Sequence, residues 1–201
     1  MIRVSVLCLL LSGVPALSLT AQEQRALPVL PPDRQIAAAV LPLPADRRPG
    51  ATVLGYDAQG RLVRLRQGSG IFTCLADDPR DDRFHVACYH NSLEPFMARG
   101  RQLRAQGVQG DAVDSTRNAD VAAGRIRMPA LASLYSLTGP GTSYDPATGA
   151  VTGARPLFVV YVPGATEAST GLSATPRPGA PWLMDPGTPK AHIMFQPGMG
   201  Q

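Results

Sequence analysis

Residues 71–89 read IFTCLADDPRDDRFHVACY, a stretch that predicts a β-hairpin. Two short runs rich in apolar and aromatic side chains, residues 71–75 and 84–89, have the composition of strands. The segment DDPRDD between them is polar and contains proline, as turns do. The fold is therefore expected to be organised around two antiparallel strands that follow one another in the chain.

The pairing of these strands places the two cysteines of the hairpin face to face. In the register that we predict, Cys74 lies opposite Cys88, Phe72 opposite His90, and Thr73 would face the residue before His90. Two cysteines in an oxidising compartment form a disulfide far more often than a metal site. Closing a loop of about 15 residues in this way stabilises a fold by about 3 kcal/mol in the chain-entropy treatment.

Further strands are predicted on both sides of the hairpin. Residues 51–56 and 62–66 are strand-like and are joined by a turn with Gly60, which indicates a second hairpin. The apolar run 157–162 is the strongest strand signal in the chain and predicts a central strand covered on both faces. Residues 191–195 predict a final strand.

Helices are predicted in three places. The main helix is expected over residues 92–106, where Ser92 is a suitable N-cap and Gly107 ends the helix. Weaker or shorter helices are expected over residues 113–123 and 34–41. The combination predicts an α+β fold: a mostly antiparallel sheet with one main helix packed on it and long loops rich in glycine and proline.

Composition divides the chain into three parts. Residues 1–21 begin with a positive charge, continue with an apolar run and end in small residues, which is the pattern of a signal peptide. The alternative is a retained membrane anchor, because 18 successive uncharged residues reach the lower limit for a span. Residues 22–50 contain six prolines and predict an arm with a short helix. Residues 51–201 are expected to form a single α+β domain, with long loops at 138–155 and 163–190.

The leader predicts an exported protein, periplasmic or extracellular, without a membrane span once it is cleaved. All basic residues but one are arginines, a skew typical of high-GC bacterial genes, and the formal net charge is +4. A charge this small, without interleaved aromatic residues, disfavours a nucleic-acid partner. The expected partner is a protein or a component of the cell envelope, and the oligomeric state is left open.

Histidines and acidic residues at the predicted ends of elements are the candidates for chemistry. The candidate catalytic residues are His90, Glu94 and Asp185. The candidate metal ligands are His90, Glu94 and His192, a set that suits Zn²⁺ with an open position for water. No His-Glu-x-x-His motif accompanies them. The favoured interpretation is a hydrogen-bonded His90 at the edge of the core, with Glu94 supporting the helix dipole.

Two other metal sites have weaker support in the sequence. Met184, His192, Met194 and Met199 offer the thioether and imidazole groups that suit Cu(I), although methionines in an apolar strand usually serve packing. The acidic turn at residues 77–82 offers oxygen ligands for Ca²⁺ but lacks the spacing of an EF-hand, so a solvated turn is favoured. No cofactor is therefore predicted, and Zn or Cu stays an alternative.

Two classes of function follow from these observations. The favoured hypothesis is a non-catalytic binding or envelope-associated domain, because the chain has no Gly-x-Ser-x-Gly elbow and no Ser-x-x-Lys motif. The alternative is a small hydrolase, possibly metal-dependent, in which the candidate residues converge: His90, Glu94, Asp185 and His192. Whether the protein is an enzyme is left open. A distance above about 10 Å between the two histidines would exclude a shared metal.

The disulfide can be tested by counting thiols. We expect no reactive thiol in the cleaved protein, unfolded without reductant, and two after reduction, because Cys74 and Cys88 are then released. The double change Cys74→Ser with Cys88→Ser should lower the free energy of unfolding by about 3 kcal/mol in denaturant titrations. Two reactive thiols before reduction would contradict the pairing.

Overall fold

The structure is a computed structural model and describes residues 28–177 and 179–197. The predicted signal peptide, residues 1–21, lies outside the described residues. The described part contains four α-helices: α1 (Pro32–Ala39), α2 (Glu94–Ala105), α3 (Asp111–Ala122) and α4 (Glu167–Thr170). It also contains eight strands: β1 (Thr52–Tyr56), β2 (Leu62–Arg66), β3 (Phe72–Leu75), β4 (Arg83–His90), β5 (Ala132–Pro140), β6 (Arg155–Tyr161), β7 (Trp182–Met184) and β8 (His192–Phe195).

All eight strands form one sheet, in the order β2-β1-β3-β4-β5-β6-β8-β7. The expected α+β class is confirmed. The finer description holds only in part, since the sheet is mixed: β1 and β3 are parallel, whereas the other neighbours are antiparallel. The expectation of one main helix is also too simple, because α3 has 12 residues, as many as α2.

The central hairpin has the predicted register. Cys74 pairs with Cys88 and Phe72 with His90 across β3 and β4. The two sulfur atoms are 2.09 Å apart and form a disulfide, and both cysteines are fully buried. The Cys88 Sγ lies 3.1 Å from the carbonyl oxygen of Ala39, so α1 packs directly against the disulfide.

Alternation along β4 distributes side chains between two sides of the sheet. Val86 and Cys88 face α1 and pack in clusters with residues of that helix, and we call this side the α1 face. Tyr89 points the opposite way, and it packs with Leu93 and with Met97 of α2. We call this second side the α2 face. Helix α3 packs on α2.

Parallel pairing of β1 and β3 depends on a close approach of backbone to backbone. Residues 67–71 lead from the end of β2 past the start of β1, so β3 enters the sheet in the same direction as β1. The Gly70 N–H donates to the Gly50 carbonyl at 2.7 Å. A Cβ on Gly68 would lie only 2.2 Å from that same carbonyl oxygen, so the crossing requires glycine.

The main helix begins later than predicted. Residues 91–93 form a 3₁₀ turn, and α2 starts at Glu94 with Pro95 in its first turn. Its end agrees with the expectation, because Gly107 adopts a left-handed conformation with φ +84°. The helix therefore has the predicted location, but Ser92 is not its N-cap.

Two strands are not predicted from the sequence, and a third strand, β6, is less covered than expected. The missed strands are β5, between β4 and β6, and the short β7 at an edge. The run 157–162 does form an interior strand, β6. However, the prediction that both of its faces are covered is wrong: Val159 is 5% exposed and Phe158 is 38% exposed. The reason is that α1 has only eight residues and packs over β1 and β4, which leaves the α1 face of β6 open.

No helix in the described ranges is long and apolar enough to cross a membrane.

The crossing of residues 67–71 generates a stability prediction. Gly68→Ala should lower the free energy of unfolding by about 1–3 kcal/mol, because the added methyl group meets backbone rather than a movable side chain. Ser69→Ala is the matched control, since Ser69 is exposed in the same connection and should change stability little. Chemical denaturation of both variants measures the difference. Equal stability of the two would contradict the proposed role of Gly68.

Candidate functional site

The His90 side chain is hydrogen-bonded to the backbone at the junction of β4 and α2. Its Nδ1 accepts a hydrogen bond from the Ser92 N–H at 3.2 Å and lies 2.7 Å from the Ser92 hydroxyl oxygen. The imidazole ring also makes an edge contact with Phe72, at 6.0 Å between ring centroids. His90 thus caps the 3₁₀ turn before α2, with one ring nitrogen already committed.

Glu94 is held in a group of three side chains on the α2 face. One carboxylate oxygen accepts from the Tyr89 hydroxyl, and the other accepts from the Arg101 guanidinium at 2.6 Å. Arg101 also donates to the Tyr89 oxygen at 2.8 Å, which closes the triangle. Burial and the Glu94 carboxylate raise the pKa of Tyr89 well above its usual range. This group fastens α2 to β4 and engages both carboxylate oxygens of Glu94.

Asp185 and His192 belong to a second polar cluster, next to β8. The His192 Nδ1–H donates to the Lys190 carbonyl at 2.7 Å, which fixes the tautomer and leaves Nε2 unprotonated in the neutral ring. The Asp185 carboxylate lies 3.9 Å from Nδ1 and 3.2 Å from the Lys190 ammonium. Lys190 also pairs with Asp114 of α3. Burial lowers the pKa of His192, although the Lys190 carbonyl and Asp185 act in the opposite direction.

The sheet separates the two candidate histidines. His90 is paired with Phe72 and points to the α1 face, whereas His192 is paired with Tyr161 and points to the α2 face. Three strand spacings lie between β4 and β8, about 14 Å in total. The structure therefore brings Asp185 to His192 but does not bring His90 or Glu94 to them. Among residues 28–177 and 179–197, no group of three His, Cys, Asp or Glu side chains is placed to hold a metal.

The residues considered for copper and calcium have ordinary surroundings. Met184 is directly opposite His192, and Met194 lies two residues along β8 on the same face, but Met199 is outside the described residues. The copper site stays a prediction. In the acidic turn, Asp78 pairs with Arg80 at 2.7 Å and Asp81 with Arg83 at 3.6 Å, as expected of a solvated turn.

An apolar groove lies where α1 leaves the sheet uncovered, and the sequence analysis did not anticipate it. The groove has a volume of about 410 Å³ on the α1 face of β5, β6 and β8. Phe158 and Phe195, paired across β6 and β8, are 38% and 39% exposed within it. We call it the open groove. Its lining residues are Ser133, Leu134, Tyr135, Phe158, Val159, Val160, Gly179, Ala180, Pro181, Phe195, Gln196 and Pro197.

No protein family, curated protein or solved structure matches this chain. The described residues offer two kinds of feature: polar clusters whose charges are paired within the protein, and the open groove, which presents apolar surface to solvent.

The buried imidazole of His192 generates a pH prediction. Above pH 6.5, its ordinary pKa, the ring is neutral in the folded and the unfolded protein. As the pH falls from 6.5 towards the lower pKa of the folded state, the unfolded chain takes up the proton first, so stability is lost. His192→Asn should remove this contribution and also lower stability at pH 7.5 by about 1–3 kcal/mol, because the bond to Lys190 is weakened.

Denaturant titrations at pH 7.5 and pH 5 test the assignment. The variant should lose less stability on acidification than the native protein does. An unchanged loss would show that His192 is not the group that titrates.

Proposed function

We propose that the protein is a non-catalytic, exported binding domain that holds an uncharged, apolar peptide segment in the open groove. The observation that carries this proposal is the exposure of two paired phenylalanines, Phe158 and Phe195, on an uncovered face of the sheet. A contiguous apolar surface in contact with water is unfavourable, and burial by a partner removes that cost.

The chemistry of the lining favours a neutral, apolar occupant. None of the described residues that line the open groove is charged, so none of them compensates the charge of a ligand. Tyr135 and Phe158 are in an edge-to-face contact at 5.4 Å, which provides a preformed aromatic wall. Pro181 and Pro197 stiffen the rim, because proline fixes its own backbone angle.

The few polar groups in the lining favour a peptide over a lipid chain. Ser133, Gln196 and the hydroxyl of Tyr135 are the polar side-chain groups of the described lining, and they offer hydrogen-bond donors and acceptors of the kind that backbone amides require. An acyl chain would leave these groups without partners. A few fixed polar groups within an apolar lining are typical of sites that orient their ligand.

Export is part of the proposal and has two supports. Residues 1–21 have the pattern of a signal peptide, and Cys74 and Cys88 are joined, as cysteines are in oxidising compartments. The occupant is accordingly sought among exported or envelope proteins.

A small hydrolase stays the second candidate, on the strength of Asp185 and His192 alone. His192 has the fixed tautomer and free Nε2 that a general base requires. However, Lys190 neutralises Asp185, and neither His90 nor Glu94 approaches the pair. The favoured function therefore remains binding.

Titration with a neutral apolar peptide tests the proposal. Isothermal titration calorimetry measures the affinity of the open groove for each peptide directly. The probe is acetyl-LPFPL-amide, and acetyl-LEFEL-amide is its charged counterpart. Phe158→Ser should weaken binding of the neutral peptide about tenfold, because it removes a central aromatic contact.

Ile71→Ser is the matched control, since Ile71 is 49% exposed but does not line the open groove. It should bind the neutral peptide as the native protein does, and so should His192→Asn. Equal affinity of the native protein and Phe158→Ser, or a preference for the charged peptide, would overturn the proposal.

A further inference from the structure

A second cavity, separate from the open groove, lies beside α1. It has a volume of about 220 Å³ and shares no lining residue with the groove. Residues 28–30, α1, the turn after β3 and the segment after β5 enclose it. Its lining residues are Pro28, Val29, Leu30, Gln35, Ala38, Asp77, Pro79, Phe84, Gly141, Tyr144 and Pro146.

The walls of this cavity are aromatic and aliphatic. Phe84 and Tyr144 stack at 5.7 Å between ring centroids, with an angle of 11° between their planes. In the part of the lining that the structure describes, Gln35 is the one amide side chain, and its polar atoms are hydrogen-bonded within the protein. It donates to the carbonyl oxygens of Leu30 and Tyr56 at 2.7 and 2.8 Å and accepts from the Tyr56 N–H. The cavity thus offers a ligand mainly apolar surface.

Asp77 is the one ionisable carboxyl among the described lining residues. One of its oxygens accepts from the His85 N–H at 2.7 Å, and it has no basic partner within the described part of the chain. The neighbouring Asp78 and Asp81 differ, because each of them is paired with an arginine. Burial raises the pKa of Asp77 to about 6, and the charges of those two neighbours act in the same direction.

We propose that this cavity binds an organic monocation, an ammonium or guanidinium group on a short apolar body, with the cationic group against Asp77. A cation there supplies the opposite charge that the carboxylate lacks. The apolar body of the ligand occupies the space beside Phe84 and Tyr144. A neutral ligand of the same shape would leave the ionised Asp77 uncompensated.

The size of the cavity limits the ligand to one small group. Sites for drug-sized molecules have volumes of about 300–1,000 Å³, so a cavity of about 220 Å³ accommodates a fragment. Two sources share this chemistry: a free small amine, and the side chain of a lysine or arginine in a peptide. Benzylamine and Nα-acetyl-lysine-methylamide, whose side-chain ammonium is free, are the probes that distinguish these two sources.

Titration followed by NMR tests the site. The native protein at pH 7.5 should bind benzylamine at least about tenfold more tightly than benzyl alcohol, which has the same ring without the charge. Asp77→Asn should abolish this preference. Asp82→Asn is the matched control, because it removes one negative charge from the same turn but does not line the cavity; the preference for the amine should survive.

The pH dependence follows from the titration of Asp77. Affinity for benzylamine should fall about tenfold from pH 7.5 to pH 5, because only about a tenth of a group with a pKa of about 6 is ionised at the lower pH. The other titratable or charged groups around the cavity are Asp33 and Arg34 on α1, Asp78, Arg80 and Asp81 in the turn, His85 on β4, and Tyr144 and Asp145 after β5. Asp77→Asn should remove the pH dependence, which assigns it to that carboxyl.

The thermal stability of Asp77→Asn distinguishes a ligand site at Asp77 from a structural role of this residue. A carboxyl with a raised pKa stabilises the fold below its ordinary pKa of 3.8, and this contribution is lost as the pH rises through about 6. Asp77→Asn should therefore raise the melting temperature at pH 7.5 and have little effect near pH 3.5. A lower melting temperature at pH 7.5 would mark Asp77 as structural and overturn the proposal.

Two binding outcomes also overturn the proposed cation site. In the first, benzyl alcohol binds as tightly as benzylamine; in the second, Asp77→Asn binds benzylamine as tightly as the native protein does. If benzylamine binds and acetyl-lysine-methylamide does not, the site takes free amines. Binding of the lysine derivative at least as tightly assigns the site to a side chain of a partner.

Discussion

The opposition of Cys74 and Cys88 fixes the register of the central hairpin, and the placement of every candidate group depends on that register. Strand β4 pairs with β3 on one side and β5 on the other. The face on which each β4 side chain lies therefore determines the face of the residues paired with it. A slip of one residue would exchange the two faces. Tyr89 would then leave the α2 face and its partner Glu94, and His90 would leave its contact with Phe72. The disulfide excludes that slip covalently while α1 packs over it.

Coverage of the sheet explains where the apolar surface is exposed. Helix α1 packs over the half that contains β1 and β4, and α2 packs on the opposite face. No helix of residues 28–177 or 179–197 packs over the α1 face of β6 and β8. An unbroken apolar run in β6 indicates that both of its faces are apolar. It does not determine whether both faces are covered. Phe158 and Val159, adjacent in one strand, differ in exposure for this reason.

Local pairing could be predicted from the sequence, whereas pairing between distant segments could not. The β3–β4 hairpin is specified by two apolar runs and the turn between them. Strand β5 mixes serine with apolar residues, SLYSLT over residues 133–138, so its signal is weak until β4 and β6 flank it. The parallel pairing of β1 and β3 rests on the fit of Gly68 against a backbone that no periodicity reveals. The surroundings of the candidate residues could not be predicted for a related reason: Glu94 and Arg101 share helix α2, but Tyr89 lies in a strand, and only the fold brings Tyr89 to them.

The polar groups that the sequence singles out already have hydrogen-bond or ion-pair partners within the fold. Glu94 is bound by two partners, and His192 and Asp185 are tied to Lys190. A charge already compensated within the protein has little interaction free energy left for a ligand. Two features of the described residues that lack such compensation lie on the α1 side of the sheet: paired phenylalanines exposed to water, and the carboxyl of Asp77 beside apolar walls. Each is unfavourable in the isolated protein and would become favourable on binding a partner of matching chemistry. Recognition is therefore expected on the α1 side, while the charged clusters of the α2 side hold the helices in place.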